Sequence, residues 1–129
     1  MQKTKLLMIS SVIALYLGGA CISVAAELDE NMQELAKNIN ILMSSTEKNE
    51  LMNALGMMSK AVDDSMNIIP EKISPDDKLA VDEYRNGLRM LKKEIELAKE
   101  KILSGKQSDI NDSVKRMNDI RVENHKKFR

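Results

Sequence analysis

From residue 27 onward the apolar side chains fall into four stripes at helical spacing. In the first, Leu28, Met32, Leu35, Ile39 and Leu42 step by four, three, four and three residues, which puts all five on one face of a helix from about Glu27 to Met43. Ser44 and Glu47 have the spacing of a capping box, so a second helix is expected to begin there. Its stripe is Leu51, Leu55, Met58 and Val62, with Met66 on the next turn and Pro70 as its stop. Ser74-Pro75-Asp76-Asp77 reads as the opening of a third helix: a hydroxyl cap, proline at the first helical position and acids in the first turn. Tyr84, Leu88, Leu91, Ile95, Ala98 and Ile102 form its stripe, and Gly105 after Ser104 suits the left-handed residue that closes it. Ser108 is the expected cap of a fourth helix, whose stripe starts with Ile110, Val114 and Met117. No alternating strand pattern competes. Four amphipathic helices on short links predict an all-α fold, an antiparallel up-down-up-down four-helix bundle.

The first residues do not fit that bundle. Lys3 and Lys5 precede an apolar run from Leu6 to Leu17, and small residues then lead into Ser23-Val24-Ala25-Ala26. A basic start, an apolar centre and a small-x-small exit are the parts of a secretory signal peptide. The run is shorter than the ~20 residues that span a bilayer. Cys21 would suit a lipoprotein signal only with an aliphatic residue three places before it, where Gly18 stands. The expected division is therefore a signal peptide over 1–25 and one domain over 26–129. Cleavage after Ala25 or Ala26 fits, with export to a bacterial periplasm and no membrane association afterwards.

Composition narrows the chemistry. The chain has 129 residues, with 20 Lys and Arg against 20 Asp and Glu, which gives no electrostatic case for nucleic acid. Five Gly and two Pro are too few for the frequent turns of a sandwich or barrel. One Cys and one His exclude a disulfide framework, an iron–sulfur cluster and a Cys-based or multi-His metal site. Removing residues 1–25 takes away that Cys, so covalent haem attachment through C-x-x-C-H is also excluded.

The fourth helix departs from its own pattern. Continuing beyond Met117 by four, three and four lands on Arg121, Asn124 and Phe128, so two inward-tending positions are polar. Arg121, His125 and Arg129 follow at i, i+4 and i+8 along one face. Such a bundle end either frays into solvent or holds a polar guest. In an up-down-up-down bundle the first and fourth helices are antiparallel neighbours. Met32 lies roughly 7 Å inside the start of one, and His125 roughly 6 Å from the end of the other, at the α-helical rise. A thioether and an imidazole then face each other at one depth, as the axial pair of a six-coordinate haem does. Taken by itself, Met32 would be core packing.

Several segments carry a specific likeness. Ala26-Glu27-Leu28-Asp29-Glu30-Asn31-Met32, Met57-Met58, Ile69-Pro70-Glu71-Lys72, Tyr84-Arg85-Asn86-Gly87-Leu88 and Arg121 through Arg129 resemble the soluble cytochrome b562 family. The likeness spans essentially the whole of 26–129, with one short deletion near Ser74. It implies one non-covalent haem b per chain, with Met32 and His125 as the axial metal ligands. It further implies that Arg121 lies beside the haem and that Arg129 pairs with a propionate. Tyr84 stands where the family has a Phe and keeps an aromatic wall. Leu88 stands where a second Phe is expected, so one ring contact with the porphyrin is lost, and Asn86 replaces a His.

With both axial positions filled by protein, no site stays open for oxygen or substrate, and the expected role is monomeric electron transfer, not enzymatic catalysis. The redox donor and acceptor proteins are not written in the sequence. Two other classes are open. Eight Met residues beyond the leader could offer thioethers to Cu(I), although no M-x-x-M cluster marks a loop. A cofactor-free helical stress or chaperone protein is the other, and it would have to tolerate Arg121 and His125 inside the bundle unassisted.

Overall fold

A computed structural model describes residues 23–128 of the chain. Among them are four α-helices and no strand: α1 Val24–Ser44, α2 Lys48–Met66, α3 Lys78–Leu103 and α4 Asn111–Phe128. A 3-10 turn over Gln107–Asp109 leads into α4. α1 packs on α2, α2 on α3, α3 on α4, and α4 closes the ring against α1, which is the neighbour relation of an up-down-up-down bundle. No helix among the described residues is long and apolar enough to cross a membrane. The leader expected over 1–25 lies outside the described residues as far as residue 22.

The stripes pack as their spacing requires. Leu35, Ile39 and Leu42 of α1, Leu51, Leu55, Met58 and Val62 of α2, all six stripe residues of α3, and Ile110, Val114 and Met117 of α4 form one buried core. Leu28, Met32 and Met66, the stripe members nearest one end, are only partly covered. The core thus thins toward the end where α1 begins and α4 finishes. Ion pairs at the rim of the core tie neighbouring helices, Lys92 to Asp63 at 2.7 Å and Arg116 to the largely covered Glu94 at 2.9 Å, the first of them solvent-facing. Solvent-facing pairs contribute little to stability in water.

The helix ends differ from the sequence expectations, each for a local reason. α1 starts at Val24 instead of Glu27, because the Ser23 hydroxyl accepts the Ala26 N–H at 3.1 Å and caps an earlier turn. The Ser44–Glu47 box does not form. Ser44 stays helical and donates its hydroxyl to the Asn40 carbonyl, while Ser45 accepts the Glu47 N–H and donates to Glu50 at 2.6 Å. Ser74-Pro75 does not open α3. Those residues make a turn, with the Asp77 N–H on the Ser74 carbonyl, and Asp77 becomes the cap by accepting the Ala80 N–H. Ser108 lies inside the 3-10 turn, so α4 begins three residues later, at Asn111. Gly105 does adopt the left-handed conformation, φ 79°, that closes α3.

One close approach sets the spacing of α3 and α4. A Cβ at Gly87 would lie 2.6 Å from Cγ of Asn124. With only hydrogen at Gly87, the Asn124 side chain fits against α3, and its amide donates back to the Ile120 carbonyl at 2.9 Å. This is how a polar residue occupies an inward stripe position, next to His125.

Candidate functional site

Where the core thins, a cavity of about 320 Å³ opens between α1, α4 and the link from α2 to α3. That volume is at the lower end of cofactor and small-molecule sites. α1 contributes Leu28 and Met32, α4 contributes Asn124, His125 and Phe128, and the link contributes Pro70, Glu71 and Lys72. The thioether of Met32 and the imidazole of His125 therefore share one cavity although 93 positions separate them in the chain. Both residues are half-buried. The α1–α4 contact brings them together, and the four-three stripe turns Met32 inward.

One polar atom of the cavity lining is unsatisfied, and so is one on the preceding turn of α4. Nδ1 of His125 and Nε of Arg121 are both buried and make no hydrogen bond. An orphaned buried donor or acceptor costs about 1–3 kcal/mol, so such atoms mark places where a partner is wanted. Arg121 is otherwise held by its own helix, Nη2 donating to Oδ1 of Asn118 at 3.0 Å. It does not line the cavity.

Among the described residues no group of three or more His, Cys, Asp or Glu could hold a bare metal ion. One soft sulfur and one imidazole nitrogen are too few ligands for a protein-bound ion. They match a group that brings its own equatorial donors and needs only two axial ones. The residues present thus fit a haem in donor set and in the apolar character of the cavity walls.

A profile of the cytochrome b562 family matches residues 27–129. The chain belongs to the cytochrome b562 family. A probable soluble cytochrome b562 1 of Yersinia pestis is 29% identical over 107 residues, covering 81% of this chain and 84% of that protein. Membership of the cytochrome b562 family identifies a haem-binding protein of the electron-transfer type.

The remaining candidate residues occupy different places around the cytochrome b562 cavity. Leu88 is buried in the core and does not line it. Tyr84 is set behind it: its ring meets Phe128 edge-on, centroids 5.6 Å apart and planes at 85°. Its hydroxyl donates to the Ser65 carbonyl at 2.8 Å. Burial pushes the Tyr84 phenol up to about 12, against a smaller opposing influence of the Arg85 cation, so the hydroxyl keeps its proton and remains a donor. Arg129 lies outside the described residues. Phe128 and the Pro70–Lys72 link line the cavity without having been singled out from spacing. Phe128 sits on the α4 stripe and so reads as core, and a link carries no periodicity at all. Met58 and Met117, candidates for thioether chemistry on composition alone, are completely enclosed by core.

Proposed function

We propose that this protein carries one non-covalently bound haem b, with Met32 and His125 as its axial ligands, and moves single electrons in the periplasm. The observation that supports this most directly is the shared cavity between α1 and α4, which is lined by both Met32 and His125, the latter with an unbonded Nδ1. When bound, the haem supplies one-electron exchange between Fe(III) and Fe(II). The chain's own residues set the conditions for it. Met32 favours the reduced state and raises the potential relative to two imidazole ligands. Leu28, Pro70 and Phe128 provide an apolar surround that restricts water. With both axial positions taken by side chains, no place is left for substrate, which supports a carrier rather than an enzyme. Arg121, one helical turn before His125, would bring a fixed positive charge to the haem's side of α4. Arg129, outside the described residues, has the propionate role only by family resemblance. The protein works as a monomer with redox proteins as its partners.

The absorption spectrum tests this reading. Haem-loaded protein should show one sharp Soret band at one haem per chain, and acid–acetone should strip all haem from the polypeptide. A protein that takes up no haem would return the copper-handling and cofactor-free readings. Haem that stays with the chain would reveal a covalent link that the sequence beyond Cys21 has no thiol to make.

Export has its own test. Intact mass of the periplasmic fraction should correspond to a chain beginning at Ala26 or Glu27. Such a cut takes Ser23 away, so α1 of the exported protein begins without that hydroxyl cap. A lipidated Cys21, or a leader retained in the membrane fraction, would contradict the expectation.

A further inference from the structure

Two walls of the cavity are built from residues other than the metal-ligand pair, and both lead back to one residue that does not line the cavity. The first wall is Pro70, Glu71 and Lys72, on the link that leaves α2. α2 ends at Met66, so the Ser65 carbonyl belongs to its last turn and lacks an intrahelical N–H partner. Its partners are instead the backbone N–H groups just past the helix, Asn67 and Ile68, the latter at 3.2 Å, and, from α3, the Tyr84 hydroxyl at 2.8 Å. The second wall is Phe128, near the end of α4, and it is held edge-on by the Tyr84 ring. Tyr84 itself is only 6% exposed, and Ser65 is fully buried, so the contact between them is sheltered from competing water.

We propose that Tyr84 is a positioning residue for the haem site: its hydroxyl on the Ser65 carbonyl and its ring on Phe128 hold the exit of α2 and the last turn of α4 in register, which keeps the cavity open before haem arrives. The proposal rests on the haem reading above and adds to it a role for the Tyr84 hydroxyl, which is turned to the Ser65 carbonyl. The phenol oxygen is the part that matters. A phenylalanine at this position could keep the edge-on contact with Phe128 but would release the end of α2 from α3, leaving the Ser65 carbonyl with only the backbone N–H groups that follow it in the chain. A preorganised site binds its ligand with less ordering to be done at the moment of binding. Loosening one wall therefore appears in ligand release more than in the ligand field.

Tyr84→Phe tests this with two readouts. In haem-free protein, amide hydrogen exchange should accelerate about three- to tenfold at residues 68, 69, 71–73 and 126–128 and stay unchanged at the core amides of α1 around Leu35–Leu42. A merely structural loss of stability would instead speed exchange at all core amides alike, and that result would overturn the proposal. In loaded protein, transfer of haem to excess apomyoglobin should also be about three- to tenfold faster, while the reduced spectrum and the exclusion of carbon monoxide stay as in the parent. An unchanged transfer rate would equally overturn it. The exchange arm needs no haem. If the axial assignment to Met32 and His125 fails while localised exchange is still seen, the haem reading is at fault and the coupling through Tyr84 stands.

Discussion

Replacing His125 with alanine should abolish the low-spin haem spectrum and weaken haem binding by more than the ~10–100-fold that loss of an outer-shell partner costs at metal sites. His125 is the only histidine in the chain, and the described residues contain no cysteine, so no other imidazole or thiolate can take its place. Met32→Ala should behave differently. It leaves the imidazole, opens the opposite axial position, and should let the reduced protein bind carbon monoxide, which the parent should resist. The two outcomes are asymmetric because an imidazole alone can hold haem iron, whereas a thioether alone holds it weakly. Optical spectra of both variants, with and without carbon monoxide, decide the matter. A Met32→Ala protein that keeps an unchanged low-spin reduced spectrum and still excludes carbon monoxide would show the axial assignment to be wrong.

The second large effect concerns methionines of the opposite kind. Met58 and Met117 are each 0% exposed, enclosed by α2 and α4 core neighbours. Truncating either to alanine removes a buried thioether chain and leaves a cavity, which should cost ~2–5 kcal/mol. Against a total of about 5–15 kcal/mol for a domain, that is a large fraction. Urea midpoints of the haem-free proteins should fall accordingly, while the spectrum of loaded protein stays that of the parent. Met43→Ala is the control: Met43 is 67% exposed, and its loss should stay within about 0.5 kcal/mol. A spectral change in Met58→Ala or Met117→Ala would mean that the core methionines reach the haem after all.

The bundle was legible because its signal is redundant. Each stripe repeats its message over four or more residues, so an error at one position does not change the face. The helix ends are not redundant. Between α2 and α3, Ser74, Asp76 and Asp77 all carry cap-forming side chains, and local spacing cannot tell which one the chain uses. Asp77 won because Ser74 through Asp77 closed into a turn, a choice set by where α3 has to start against α2. The caps expected at Ser44 and Ser108 are absent for other reasons: Ser44 remains in the last turn of α1, and Ser108 lies in the 3-10 turn before α4.

The site divides along similar lines. Met32 and His125 could be brought together on paper, because antiparallel neighbours convert distance from a helix end into depth. The Pro70–Lys72 wall could not, since nothing periodic ties a link to a helix face. Nor could the direction of the Tyr84 hydroxyl. It depends on the last turn of α2 presenting a carbonyl at the right height, and neither the spacing of α3 nor that of α2 contains this.

The cavity draws on residues of α1 and α4, with α2 and α3 lying between them in the sequence. Neither half of the chain holds any part of the axial pair twice over. If this cavity is the haem site, a growing polypeptide would have no such site until the fourth helix has docked, and loading would follow completion of the fold. On the proposed assignment, a bound haem would join positions 32 and 125 and so close a loop of nearly the entire domain. A cross-link over so long a loop withdraws the most freedom from the unfolded chain. The group that gives the protein its redox chemistry would then also be the clasp that keeps its first and fourth helices from parting.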